Sequence, residues 1–181
     1  MQERRSVAAL TRCGLLAFAI AVVVVVVDRV TTTLAVDHLH DVRHVWGPFG
    51  FALTYNSGFA FSLFSGRGAL VTILLCVGVV VLAFVVAQVR TWPLAVGTGL
   101  VLGGAAGNLS ERIVGNVGGQ VPDFITLRDW PTFNVADACV TVGVIMVVVS
   151  LLFGGHEGEG RSDGDPTLAP TRTEAQTEGP V

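Results

Sequence analysis

Asp123 and Asp137 lie within one short stretch, PDFITLRDWPTFNVADACVT from Pro122 to Thr141, and stand just outside an apolar run that extends from Ala138 to Phe153. An apolar segment needs no carboxylate at its mouth for stability, and an acid at that depth carries a solvation cost unless something uses it. Two carboxyls held close together cannot both ionise cheaply, so one keeps its proton at neutral pH and the pair titrates as a unit. Such a pair is equipped for general acid and base work on a carbonyl: the ionised member takes a proton from water while the protonated member polarises the carbonyl oxygen. The residues leave open which aspartate begins as the base.

Other polar residues gather around this pair. Asp28 and Arg29 follow the first apolar run, Asn108, Glu111 and Arg112 close the third, Asn134 precedes the fourth, and Asn56 lies in the segment between the first two. Each also has a plainer explanation. Asn134 followed by Asp137 is a helix N-cap with an acid at the third position, which stabilises a helix start without any chemistry. Asp28 can neutralise Arg29 or Arg112, and structural pairing is the stronger reading for it. Asp123, between Pro122 and Phe124 with no helix start in evidence, is less well explained by capping. Asp129 reads as a solvated acid beside Arg128, and His38, His40 and His44 lack a metal-binding spacing.

The elements that position these groups read as membrane segments. About half of the 181 residues are hydrophobic and mean hydropathy is positive. The net charge of -3, the absence of lysine and the scattered arginines exclude a nucleic-acid role. Cys13, Cys76 and Cys139 fall in or beside apolar segments and read as small buried residues, not as a disulfide framework or metal site. Uncharged runs cover Leu15 to Val27, Gly68 to Val89, Thr91 to Ser110 and Ala138 to Gly155; the last three are close to the roughly 20 residues that a helix needs to cross the hydrocarbon. Arg4, Arg5 and Arg12 precede the first run and place the N-terminus in the cytoplasm. A cleaved signal peptide ending near Thr33-Leu34-Ala35 is the lesser alternative, because Asp28 and Arg29 intervene. Four crossings return the C-terminus to the cytoplasm and leave Val36 to Arg67 and Glu111 to Phe133 outside, so that the polar residues collect at one leaflet. The expected organisation is a four-helix unit over residues 1–153 and a disordered acidic cytoplasmic tail over 154–181.

Two stretches add detail. Phe49, Phe51, Leu53 and Tyr55 alternate with smaller residues, Asn56-Ser57-Gly58 supplies turn chemistry, and Phe59, Phe61 and Leu63 alternate again, which predicts a β-hairpin. Its aromatic face suits a membrane interface, with Trp46 and Trp130 as headgroup anchors on that side and Trp92 on the other. Gly99, Gly103 and Gly107 recur at spacing four and predict close approach of the third helix to a neighbour.

Four blocks, NSGFAFS from Asn56, GGAAGNLSER from Gly103, PDFI from Pro122 and FNVAD from Phe133, resemble in order and spacing the motifs of the bacterial lipoprotein signal peptidases, or signal peptidase II. The resemblance covers roughly Asp28 to Val149. It implies an all-α membrane fold: four transmembrane helices, a small extracytoplasmic β-hairpin or cradle, and an outer loop between helices three and four. It further implies an aspartic endopeptidase of the inner membrane, which cleaves prolipoproteins before the diacylglyceryl-modified cysteine. By the motifs Asp123 and Asp137 match the catalytic pair, and Asn56, Asn108, Arg112 and Asn134 match polar residues lining the site, with Asp28 beside them as a substrate-side group. No cofactor or metal is implied, the partners are the prolipoprotein and membrane lipid, and a monomer is expected. Two positions depart from the family pattern: Glu111 stands where aspartate is usual, and Thr32 where a lysine is usual. The competing class is a proton or ion carrier using Asp28, Asp123 and Asp137 as relays, but a carrier needs acids near mid-membrane and on both sides. A structural subunit built on the glycine-rich helix leaves the polar end unexplained.

Overall fold

The computed structural model describes residues 2–57, 68–115 and 118–153. The described residues form helices α1 (Gln2–His38), α2 (Gly68–Val86), α3 (Trp92–Val114) and α4 (Val135–Phe153), with strands β1 (Arg43–Trp46) and β2 (Phe49–Asn56) between α1 and α2, and β3 (Val121–Leu127) and β4 (Trp130–Phe133) between α3 and α4. The strands form one antiparallel sheet in the order β1-β2-β3-β4. Thr11–His38 and Val135–Phe153 are long and apolar enough to cross a membrane, and the apolar part of α2, Thr72–Val86, is shorter.

α3 is the central helix and packs against the other three. Its glycines make this possible on two faces. A Cβ at Gly103 would sit 2.7 Å from Val24 Cβ and 2.8 Å from the Ala21 carbonyl, and one at Gly99 would meet the Ala17 carbonyl at 2.6 Å, so the stripe read from the sequence faces α1. Gly97 and Gly104 face α4, where Gly143 reciprocates by approaching the Gly97 carbonyl. These pairings run α1 parallel to α3 and α4 antiparallel to it, so the C-terminal ends of α1 and α3 meet the start of α4 at one end of the bundle. The small core follows the same seam, with Ala17, Ala21, Leu102 and Ala95 buried. Outward positions of α1, α2 and α4 carry exposed Leu, Val, Ile and Phe, among them Phe18, Val80, Phe84, Ile145 and Leu152. Apolar surface on that scale suits lipid and not water.

Local signals explain the starts of α3 and α4. Pro93 lies in the first turn of α3, where its missing N–H has no helical partner to lose. Asn134 caps α4 by accepting the Asp137 N–H at 2.8 Å. The helices outrun the uncharged stretches that announced them: α1 continues through Asp28 and Arg29 to His38, and α3 continues through Glu111 and Arg112. Those charges are tolerated because they face protein, as described below.

The strand expected over Phe49–Tyr55 is present, but its described partners differ from the expected hairpin arm. β2 pairs with β1 across a turn at Gly47, which has φ +55, and on its other side with β3. The second aromatic arm, Phe59 to Leu63, lies outside the described residues, as does the tail over 154–181. Of the stretch Glu111 to Phe133, expected outside between the third and fourth helices, the first residues extend α3 and the later ones supply β3 and β4.

Candidate active site

β3 enters the site as a buried strand. Val121, Pro122, Asp123 and Phe124 are all buried, and Thr54 of β2 lies opposite Asp123, its hydroxyl donating to the Asp123 carbonyl at 3.3 Å. Two positions along β2, on the same face, Asn56 donates through Nδ2 to Asp123 Oδ2 at 3.1 Å. The alternation in β2 therefore sends its aromatics one way and Thr54 and Asn56 towards the carboxyl.

Asn134, fully buried at the start of α4, joins the two aspartates. Its Nδ2 donates to Asp123 Oδ1 at 3.1 Å and to Asn108 Oδ1 at 3.0 Å, while its Oδ1 takes the Asp137 N–H. Asn108, on α3, donates in turn to Asp137 Oδ1 at 2.8 Å. The result is a closed relay of amides in which every carboxyl oxygen named accepts and every amide is oriented by its partners. The expected cap at Asn134 is real, and the same side chain also fixes both acids.

Asp123 is 2 % exposed and its carboxyl is pushed up to about 7, mostly by burial and next by the neighbouring Asp137 charge, against the lowering effects of the Asn56 bond and the Arg112 guanidinium, with a smaller raising effect from the Asp28 charge. Arg112 lies near both acids, and its Nη1 donates to the Gly119 carbonyl at 3.2 Å. That bond ties the end of α3 to a turn where Gly118 and Gly119 have φ +66 and +80, values that suit glycine. It holds the chain leading into β3.

Asp28 does not pair with Arg29. It is 1 % exposed on α1, and its Oδ1 accepts the N–H of Ala136, 108 residues away, at 2.8 Å. It thus gives α4 a second cap, supplied from another helix, and Gly107 leaves the room: a Cβ there would lie 3.0 Å from Asp28 Oδ2. Arg29 instead forms an ion pair with Glu111, itself 3 % exposed. Sequence reasoning missed that pairing and also Thr54, whose place opposite Asp123 depends on strand register. The seven predicted site residues, Asp28, Asn56, Asn108, Arg112, Asp123, Asn134 and Asp137, converge at one end of the bundle from four elements beside β3. The arrangement brings a buried carboxyl, Asp123, and a half-buried one, Asp137, together with fixed donors, which suits addition of water to a carbonyl.

Comparison with known proteins places the chain among relatives. The family model described as Signal peptidase (SPase) II matches residues 20–153. A lipoprotein signal peptidase of Rhodococcus jostii is 42% identical over 147 residues, covering 77% of this chain and 74% of that one. One from Teredinibacter turnerae is 36% identical over 150 residues, covering 76% and 87%. Two solved structures described as bacterial membrane enzymes superpose with TM-scores of 0.71 and 0.67 at 26% and 28% identity, covering 82% and 76% of this chain and 94% and 92% of theirs.

Proposed function

Given that the chain belongs to the signal peptidase II family, a family of membrane proteases that remove signal peptides from prolipoproteins, we propose that Asp123 and Asp137 are its catalytic pair and that it cleaves before a diacylglyceryl-modified cysteine. The observation that carries this reading is the amide relay through Asn134 and Asn108, which links the Asp123 carboxyl to the Asp137 carboxyl through an unbroken chain of side-chain hydrogen bonds. A structural use of the acids needs no such shared orientation.

In the resting site one proton is held by the pair. Asp123, raised to about 7, keeps it, and Asp137 in the first turn of α4 has the positive end of the helix dipole nearby. Asp137 takes a proton from the attacking water as its oxygen adds to the scissile carbonyl carbon. Asp123 hydrogen-bonds the carbonyl oxygen and stabilises the charge developing there. As the tetrahedral intermediate collapses, the C–N bond breaks and the amine leaves with a proton from the pair. Asn56 and Arg112 are placed to hold the substrate backbone, and Asp28 supports the site through α4 instead of touching substrate.

All four helices cross the bacterial inner membrane in this reading, with both termini cytoplasmic and the carboxyl pair near the outer leaflet. α3 has 23 residues, which at 1.5 Å each is about 35 Å, and its modest hydropathy reflects glycines and charges turned inward. Exposed Trp46 and Trp130 near the site and Trp92 at the far end suit the two headgroup layers. The substrate's lipid stays in the bilayer, which confines the peptide near the pair and lowers the entropic cost of encounter. The unit over 1–153 acts as a monomer, with 154–181 as an accessory tail.

The test is incubation of purified Asp123→Asn and Asp137→Asn proteins with a diacylglyceryl-modified precursor and with its unmodified form. Both variants insert and fold but do not cleave, and the native protein cleaves the modified form only. Full processing by either variant sinks the assignment.

A further inference from the structure

A pocket of about 100 Å³ opens between the polar ends of α1 and α3, lined by Arg29, Thr32, Thr33, Val36, Asp37, Glu111 and Pro122. Two features connect it to the carboxyl pair. Pro122 is fully buried and immediately precedes Asp123. Thr32 lies one helical turn beyond Asp28, so the two side chains share a face of α1, and Asp28 holds the backbone next to Asp137.

The three consecutive threonines of α1, Thr31, Thr32 and Thr33, differ in how their hydroxyls are satisfied. Thr31 and Thr33 return their hydroxyls to α1, donating to the Val27 carbonyl at 2.8 Å and the Arg29 carbonyl at 2.9 Å. Thr32 does not. It is 3 % exposed, and its Oγ1 has no hydrogen-bond partner among the described residues. The same holds for Asp28 Oδ2. A buried hydroxyl and a buried carboxylate oxygen about one turn apart, beside a polar pocket, meet the conditions for an ordered water, which needs space and two to four polar partners.

We propose that this pocket is a hydration site, with water held between Thr32 Oγ1 and Asp28 Oδ2, and that it feeds the carboxyl pair from the α1 side. The inference rests on the proposed peptidase reading. Each cleavage consumes one water, and a lipid-anchored peptide in the site covers the membrane-facing approach, so a second approach through protein keeps the pair supplied. Thr32 is then a positioning residue for water, which gives the residue at this departure from the family pattern a task of its own.

The experiment combines a high-resolution structure with kinetics on Thr32→Val and Thr32→Ser in the full-length protein, using the diacylglyceryl-modified precursor. Valine keeps the shape and removes the hydroxyl; serine keeps the hydroxyl. The expected result is an ordered water within hydrogen-bond distance of both Thr32 Oγ1 and Asp28 Oδ2 in the native protein, absent in Thr32→Val. Thr32→Val loses about tenfold in kcat, the rate equivalent of one hydrogen bond, with KM unchanged, and Thr32→Ser stays close to native. A Thr32→Val protein with native kcat, or density showing Thr32 Oγ1 bonded to a backbone carbonyl with no water beside it, overturns the proposal. Cleavage by Asp123→Asn with the water in place would count against the catalytic pair and leave the hydration site standing.

Discussion

Asn134 donates to Asp123 at 3.1 Å with the same side chain whose oxygen accepts the Asp137 N–H at 2.8 Å, so one buried amide ties the Asp123 carboxyl to the helix turn that carries Asp137. Capping and orientation are therefore two effects of one residue, and substitutions can separate them. Asn134→Ser retains an oxygen suited to capping but has no amide to span the acids. Its unfolding free energy should stay within about 1 kcal/mol of native, while cleavage falls about 100-fold. Chemical denaturation and precursor cleavage on the same preparation check this, and native activity in Asn134→Ser would reduce the residue to a cap.

The raised carboxyl of Asp123 makes stability depend on pH. Its folded value, about 7, lies above the unfolded 3.8, so the folded protein binds the proton more tightly in that window. Stability from this group is present at low pH and is lost as pH rises from about 4 through about 7, by on the order of a few kcal/mol. Asp123→Asn removes that dependence. The new amide can keep its oxygen towards the Asn134 Nδ2 that Asp123 accepts. The variant should match the native protein in Tm near pH 5 and exceed it near pH 8, measured in the same detergent. An equal Tm difference at both pH values would contradict the buried, proton-holding state of Asp123.

The Arg29–Glu111 pair joins α1 to α3 with one end buried. Removing the arginine leaves a buried carboxylate without its cation, and Arg29→Met should destabilise by about 3 kcal/mol. The double variant Arg29→Met with Glu111→Leu should recover most of that loss, because no buried charge remains. Denaturant titration of the single and double variants decides it; a double variant no better than Arg29→Met alone would show that the pair does more than neutralise itself.

The glycine stripe predicts a sharp positional contrast. Gly103→Ala places a methyl against the Ala21 backbone, which cannot yield as a flexible side chain would, and should cost about 1–3 kcal/mol. Gly78→Ala meets nothing within 4 Å and should be neutral or stabilising by up to about 1 kcal/mol. Thermal unfolding of the two alanine variants is the measurement, and similar losses at both sites would argue against close α1–α3 packing.

The amino-acid sequence by itself determined what depends on local pattern. Apolar run length marked the helices, the period-two alternation marked β2, and Asn134 three residues before Asp137 marked the cap, because each is a short-range property of the backbone and its neighbours. It also singled out the seven polar residues that the fold brings to one end. Their partners were another matter. That Asp28 would cap α4 across 108 residues, that Arg29 would choose Glu111 over Asp28, and that Thr54 and Asn56 would face Asp123 through β2–β3 pairing were decided only in three dimensions. Helix faces and strand register follow from burying the glycine seams while pairing polar groups supplied by distant segments. That condition couples distant segments and leaves no trace in the spacing of any one of them.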